Sequence, residues 1–406
     1  MPRLDNAWLS QLSQQFGDAF YLLDSEGFRA NFTELKNAFS KIYPNFNIAY
    51  SYKTNYTPRL CAAVNELGGF AEVVSDMELD IALRVGVTPD RVIWNGPVKN
   101  SRRVEQLLLD GGTVNLDSVC ELAVIERIAK AHPESVLSIG IRVNFDIGDG
   151  VVSRFGFDVD SDAFAAALEL VRNTENIHFN GLQCHFATRR LDTWPARVHG
   201  TLSLLERIGT VPERIDLGGG LFGKMADSLK AQFDSDIPSY EDYAAAAAVP
   251  FAEYFADRDE KPLLLIEPGS ALAGDCMHFA CRVMNIKQVR GKAIATVLGS
   301  IYNINPTLNK KNPPIEVFSM GEPQADYCGL DFGGFTCIES DYLYRGFDGR
   351  LAVGDFVVFG NVGSYSVVLK PPFILPNFPV LDICSGTVEV IKRGECFDDL
   401  FHTFSF

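Results

Sequence analysis

Apolar and alternating runs recur along the first two thirds of this chain, at residues 47–53, 70–75, 92–96, 113–118, 137–144, 181–185, 214–218 and 263–267. Each has the length and period of a strand. Amphipathic stretches with helical spacing lie between most of them, as at residues 77–85 and 118–131. Strands alternating with helices predict a parallel sheet with right-handed crossovers, because a parallel neighbour can be reached only by a segment that returns over the sheet. Repeated eight times, the unit predicts an α/β fold of the (β/α)8 barrel type, with an open doubly wound sheet as the alternative. Gly218, Gly219 and Gly220 do not make a dinucleotide turn: the GxGxxG spacing and the acidic residue about 20 positions on are missing.

Outside that region the texture differs. Residues 4–16 have a helical pattern with Asp5 as its cap, and residues 19–23 read as a strand. Beyond about residue 285, strand-like segments at 293–298, 315–319, 355–359, 365–369 and 388–393 follow one another without helices, punctuated by Gly321, Pro323, Gly349, Gly354, Pro371 and Pro372. The expected division is a barrel over 26–282 and an antiparallel β-sandwich or β-barrel domain made of 1–25 with 283–406.

Composition narrows the function classes. A chain of 406 residues, 47% hydrophobic, can bury a large core, and a net charge of -16 disfavours nucleic acid and anionic membrane surfaces as partners. Nine scattered cysteines without a CxxC pair read as reduced thiols. The first residues lack a signal-type apolar core and no apolar run approaches 18 residues, so a cytoplasmic protein is expected. Six histidines without ligand spacing point to no bound metal.

In a barrel, polar residues at the C-terminal ends of successive strands converge on one mouth. Here they are Lys53, Glu72 and Ser75, Asn95, Asp117, Arg142, His185, the three glycines at 218–220 and Glu267. An amine, an imidazole, an arginine, a glycine turn and a carboxylate suit a phosphorylated electrophilic cofactor, and pyridoxal 5'-phosphate fits best. The amine bonds its aldehyde, backbone amides of the turn receive its phosphate, and the carboxylate keeps its ring nitrogen protonated.

In this order the motifs resemble those of the fold-type III pyridoxal-phosphate decarboxylases, a family that includes diaminopimelate, ornithine and arginine decarboxylases. The likeness spans nearly the whole chain. Tyr52-Lys53-Thr54-Asn55 resembles the family's lysine motif and implies that Lys53 carries the cofactor covalently. Glu72-Val73-Val74-Ser75 resembles the second-strand motif, and Arg142 stands in the arginine strand. His185-Phe186-Ala187-Thr188 resembles the His-x-x-Ser segment, implying that His185 stacks on the ring and Thr188 binds near the phosphate. The glycines at 218–220 match the phosphate turn. Glu267-Pro268-Gly269-Ser270 stands where the family has Glu-Pro-Gly-Arg, so Glu267 is implied to pair with the ring nitrogen, with Gly269 and Ser270 beside it. Cys337 to Asp341 resembles the Cys-x-x-x-Asp motif that one subunit lends to another, which implies a homodimer with shared sites. Gly363-Ser364-Tyr365, followed by Phe373, resembles the segment whose tyrosine reaches the phosphate.

The resemblance implies an alanine-racemase-like barrel with a C-terminal antiparallel β domain, and decarboxylation of an amino acid with Lys53, Cys337, His185 and Glu267 as catalytic residues. A racemase on the same fold and a non-catalytic regulatory relative are the alternatives. Glutamate rather than arginine at the ring nitrogen favours decarboxylation, and the joint presence of Lys53, His185, Glu267 and Cys337 argues against the regulator. The chain departs from the family where substrate is read. An acid follows the motif cysteine in the diaminopimelate and ornithine enzymes, whereas Ile338 follows Cys337 here and Glu339 comes one place late. Asn305-Pro306 replaces an Arg-Pro, and Phe335 replaces a proline. A distal ammonium facing Ile338 would be desolvated without a partner, at a cost of several kcal/mol. The expected substrate therefore has a neutral, acidic or conjugated distal end, with Asn305, Ile338, Glu339, Asp341 and Phe373 as candidate contacts. Arg189, Arg190, Lys310 and Lys311 are candidate partners for a distal carboxylate.

Overall fold

The computed structural model describes residues 4–304 and 310–406, without the side chain of Ser385. Two compact units emerge, one built from Arg29–Phe222 and Pro238–Ala271, the other from Met1–Phe28, Gly223–Ile237 and Leu272–Phe406.

The first unit is a closed barrel of eight parallel strands: β1 (Phe46–Ser51), β2 (Phe70–Val73), β3 (Val92–Trp94), β4 (Thr113–Leu116), β5 (Leu137–Asn144), β6 (Ile177–Cys184), β7 (Arg214–Asp216) and β8 (Leu263–Ile266). Each strand pairs with the next in sequence, and Leu264 of β8 lies opposite Phe46 of β1, which closes the ring. Ala49, Phe70, Ile93 and Leu265 form a buried apolar cluster, with about 1.5–3 kcal/mol from burying each large side chain. Helices follow the strands, and hydroxyl caps start some of them at the strand exits. Ser75 Oγ accepts from Glu78 N at 3.2 Å to open Asp76–Arg84, and Ser118 with Glu121 forms a capping box at Val119–Ala131.

The second unit carries a nine-stranded, mostly antiparallel sheet. The N-terminal strand Ala19–Leu23 pairs antiparallel with Met277–Val289 and parallel with Val380–Asp382, the return expected of it. Its core joins Leu9 and Leu12 of the helix Asn6–Phe16, capped by Asp5, to Phe20, Leu22, Ala280, Phe356, Val358, Leu381 and Ile383. Lys292–Val297 and Ala325–Gly333 form a further parallel pair.

Local pattern misled at two places. Residues 365–369 form bends and turns rather than a strand, with Tyr365 at φ 58°, a conformation no regular strand contains. The long strands Ala325–Gly333 and Tyr342–Leu351 were not among the expected strands; Gly349, read as a turn residue, lies within the second, and Gly329 and Gly346 stand inside the two strands. Both glycines have positive φ beside register shifts, so they are bulges within a continuous ladder.

Candidate active site

Side chains alternate across a strand, so the residue two places past an inward apolar position also faces inward. Beyond Ala49, Phe70, Ile93 and Leu265 therefore come Ser51, Glu72, Asn95 and Glu267, a polar layer at the C-terminal ends of β1, β2, β3 and β8. All four are buried. Lys53 leaves β1 in the single turn Tyr52–Thr54, and its Nζ lies 2.7 Å from Glu72 Oε2, which also accepts from Ser51 Oγ at 2.5 Å. Asn95 Nδ2 donates to Glu72 Oε1 at 3.1 Å and to Glu267 Oε1, while its Oδ1 accepts from Asn115 Nδ2 at 2.7 Å. Gln183 Nε2 donates to Glu267 Oε2 at 3.1 Å.

Three buried carboxyls, those of Glu72, Glu267 and Asp216, thus lie in the field of the Lys53 ammonium, which is bonded to Glu72. Burial pushes Glu72 up, but the Lys53 ammonium and the hydrogen bonds from Lys53, Ser51 and Asn95 outweigh it and hold Glu72 below its ordinary value. Glu267 goes the other way: burial, then the charges of Asp216 and Glu72, push it well above the carboxylate range. Asp216 is also raised, mainly by burial, and accepts from Gly218 N at 2.8 Å. The layer therefore contains an ionised Glu72 paired with Lys53 and a protonated Glu267.

The turn after β7 lies next to it. Glu267 N donates to Gly218 O at 2.9 Å, and Gly219 N donates to His185 Nδ1 at 3.0 Å. That donor places the imidazole's own proton on Nε2. Burial, then the nearby Lys53, Arg142 and Arg197 charges, hold His185 well below its ordinary value, so it is neutral. Gly218 and Gly220 have φ of 71° and 88°, and a Cβ on Gly219 would stand 2.5 Å from Glu267 O. Among the described residues no protein acceptor is bonded to the amides of Gly220 and Leu221. Arg197, from the helix Trp194–Ile208, donates to the carbonyls of Leu217, Gly219 and Phe186 behind the turn.

Other expected residues take varied positions. Arg142 Nη1 lies 3.4 Å from Asp117 Oδ1, and its guanidinium packs on Phe155. Thr188 lies between His185 and the helix carrying Arg197, its carbonyl 2.7 Å from where a Cβ on Gly220 would fall. A Cβ on Gly269 would fall 1.9 Å from Thr54 Oγ1, so glycine lets the β8 exit pass the lysine turn. Arg189 Nη2 donates to Ser270 Oγ at 3.4 Å, while Arg190 is paired with Asp192 and Lys311 Nζ with the carbonyl of Gln232.

In the second unit, Asp341 is buried and both its oxygens are occupied. Oδ1 accepts from Ser300 Oγ at 3.0 Å and Ile301 N at 2.7 Å, and Oδ2 accepts from Thr336 Oγ1 at 2.6 Å. It staples a loop whose tip, Cys337, Ile338 and Glu339, is exposed. Gly363 sits where a Cβ would meet Ala273 O at 1.7 Å, ahead of the half-buried Tyr365, and Phe373 is exposed. Asn305 lies outside the described residues.

Asp216, Gln183, Asn115, Ser51 and Arg197 were not among the expected residues. The first three stand two places before Gly218, His185 and Asp117, so period-2 counting back from the strand ends would have found them. Arg197, on a helix behind the turn, had no such signal.

Residues 29–274 match the family model of the pyridoxal-dependent decarboxylase, pyridoxal binding domain. A diaminopimelate decarboxylase of Methanocaldococcus jannaschii is 24% identical over 96% of this chain and 92% of its own length. The L-glutamyl-[BtrI acyl-carrier protein] decarboxylase of Niallia circulans is 25% identical over 98% and 96%. Among solved structures, a diaminopimelate decarboxylase from M. jannaschii superposes with a TM-score of 0.87 at 22% identity, covering 98% of this chain and 94% of that one. The arginine decarboxylase of Paramecium bursaria Chlorella virus superposes with a TM-score of 0.73 at 20% identity, covering 91% and 97%. With an alanine-racemase-like barrel, a buried lysine–carboxylate layer and a family match over more than half its length, the chain belongs to the pyridoxal-dependent decarboxylases and is a pyridoxal-phosphate-dependent amino-acid decarboxylase.

Proposed function

We propose that the barrel mouth holds pyridoxal phosphate through Lys53, the turn at 218–220 and Glu267, and that the substrate is an amino acid or amino-acid conjugate without a free distal ammonium. The donor set supports the cofactor assignment. Lys53 is a partly exposed amine, the Gly220 and Leu221 amides lack a protein acceptor among the described residues, and Glu267 is a buried acid that a basic ring nitrogen would complement. Glu72, Arg142, Thr188, Gly269, Ser270 and Tyr365 complete the proposed cofactor set.

When bound, pyridoxal phosphate takes up the electron pair that departing CO2 leaves on Cα. Glu72 holds the Lys53 amine in place beside the mouth, where it would bond the cofactor's aldehyde. Glu267 keeps a proton at the ring nitrogen, and neutral His185, fixed by Gly219 N, presents a flat, uncharged face to the ring. Cys337 returns a proton to Cα. The motif resemblance assigns that cysteine to a second copy of the chain, so a homodimer with shared sites belongs to the proposal.

The observation that carries the substrate reading is Ile338, apolar and 36% exposed, immediately after Cys337 on the loop that Asp341 staples. A pocket wall without a counter-ion rejects an ammonium more strongly than it rejects a neutral or acidic group. The name of the Niallia circulans relative describes a substrate of the conjugated kind, a glutamyl group on a carrier protein. A CO2-release screen over diamino acids, acidic amino acids and amino-acyl conjugates tests the reading. Ile338→Glu is expected to raise kcat/KM on lysine, ornithine or diaminopimelate at least about tenfold. If the wild type already decarboxylates one of these at about 10⁴ M⁻¹s⁻¹ or more, the reading is wrong and Glu339 does the acid's work.

A further inference from the structure

Arg197 is fully buried, yet the acceptors it bonds are all backbone carbonyls. Nη1 donates to Leu217 O at 3.0 Å and Gly219 O at 2.6 Å, and Nη2 donates to Phe186 O at 3.2 Å. Its guanidinium lies 4.2 Å from the ring centroid of Trp194 and 5.4 Å from that of Phe186, and Nε has no acceptor among the described residues. Buried ions are ordinarily paired, because leaving one without a counter-ion is costly. Burial draws this guanidinium down only to about 10, so it stays charged at neutral pH. The molecule therefore keeps a positive charge directly behind a glycine turn, with no carboxylate among its hydrogen-bond partners in the described residues.

Peptide geometry gives that placement a second effect. The C=O of one residue and the N–H of the next point in opposite directions across a planar peptide. Drawing Leu217 O and Gly219 O toward Arg197 turns the amides of Gly218 and Gly220 away from it. The first is taken up by Asp216 Oδ1, and the second is left without a protein acceptor among the described residues. The bond to Phe186 O ties the exit of β6 to the exit of β7, and Tyr243, packed on Trp194, accepts from Phe222 N and donates to Arg189 O at the far side of the same two loops.

We propose that Arg197 is the positioning residue of the phosphate seat: it aims the Gly220 amide outward and lends the seat a fixed positive charge from behind, without touching the phosphate. The proposal rests on assigning the turn at 218–220 to the cofactor's phosphate. Arg197→Gln retains a donor for the carbonyls but loses the charge, whereas Arg197→Lys retains the charge but loses the fork.

The test is equilibrium binding to apoenzyme, by absorbance, of pyridoxal phosphate and of pyridoxal, which lacks the phosphate. Arg197→Gln should weaken pyridoxal phosphate about 100-fold and Arg197→Lys about 10-fold, with pyridoxal changed less than about 3-fold in either. Equal losses for both ligands, or none, would reduce Arg197 to a packing residue and overturn the proposal. Should only the lysine variant fold, an unchanged ratio of the two affinities overturns it as well. Should neither fold, the wild-type apoenzyme decides: inorganic phosphate must raise its Tm beyond chloride at equal ionic strength, and no such rise overturns the proposal. Gly220→Ala, whose Cβ would come 2.7 Å from Thr188 O at φ 88°, separates the two levels of the argument. If it leaves the affinity ratio intact, the assignment of the turn fails. If it lowers the ratio while the Arg197 variants do not, only the role of Arg197 fails.

Discussion

Replacing Glu267 by glutamine should make the apoenzyme more stable and the holoenzyme slower. In the fold Glu267 holds its proton far above the ordinary value of 4.5, because it is buried and faces the charges of Asp216 and Glu72. Its folded-state value is raised, so its contribution is intact below pH 4.5 and is lost as pH rises toward the folded value. Over that window the unfolded chain releases a proton that the folded chain keeps, at about 1.4 kcal/mol per pH unit, or up to about 3 kcal/mol by pH 7. Glutamine is shaped like the protonated acid and has no such loss. It can accept from Asn95 Nδ2 through Oε1, and Gln183, whose Oε1 has no partner among the described residues, can turn its amide to accept from the new Nε2. Denaturant melts of wild-type and Glu267→Gln apoenzyme should coincide within about 1 kcal/mol at pH 5 and separate by about 2–3 kcal/mol at pH 7, the variant being the more stable. With cofactor bound, the amide cannot hold a proton at the ring nitrogen, and kcat should fall about 10²–10³-fold while cofactor affinity changes little. A stability gap independent of pH would show that Glu267 is ionised in the fold, and the account of the polar layer would be wrong.

Gly269→Ala drives a Cβ to within 1.9 Å of Thr54 Oγ1 and must displace the turn that carries Lys53; a stability loss of about 2–3 kcal/mol with loss of the cofactor's absorbance band is expected. Asp341→Ala leaves Ser300, Ile301 and Thr336 without their shared acceptor; it should cost about 3 kcal/mol in thermal melts and lower turnover while cofactor affinity of the folded fraction is kept. Mixing Lys53→Ala and Cys337→Ala chains under conditions that exchange subunits should restore up to about a quarter of wild-type activity. No recovery despite proven exchange would mean that each site is built from one chain.

The barrel was legible in the sequence because its signal is local. The strand period recurs eight times in one order with helical spacing between most of the repeats, and each signal depends on contacts within a few residues. The ends of those strands also named Lys53, Glu72, His185 and Glu267, since a parallel barrel sends the C-terminal ends of all its strands to one mouth. The β unit was less legible. Gly329 and Gly346 look like breaks in isolation and become bulges only when a partner strand lies alongside, and the turn at Tyr365 has strand-like composition but a left-handed backbone.

What tertiary structure alone decided is charge state and support. Sequence shows that Glu72, Asp216 and Glu267 are acids. That the first is ionised and the last protonated follows from which of them meets Lys53 Nζ at 2.7 Å and which meets another carboxyl in a buried layer. Arg197 makes the same point from the other side. Nothing in its helix distinguishes it from a surface arginine, and only the folding of that helix behind the β7 exit gives it the carbonyls of Leu217 and Gly219. Periodicity tells which way a side chain faces; desolvation and the sign of the nearest charge, which fix what it can do there, depend on residues far away in the chain.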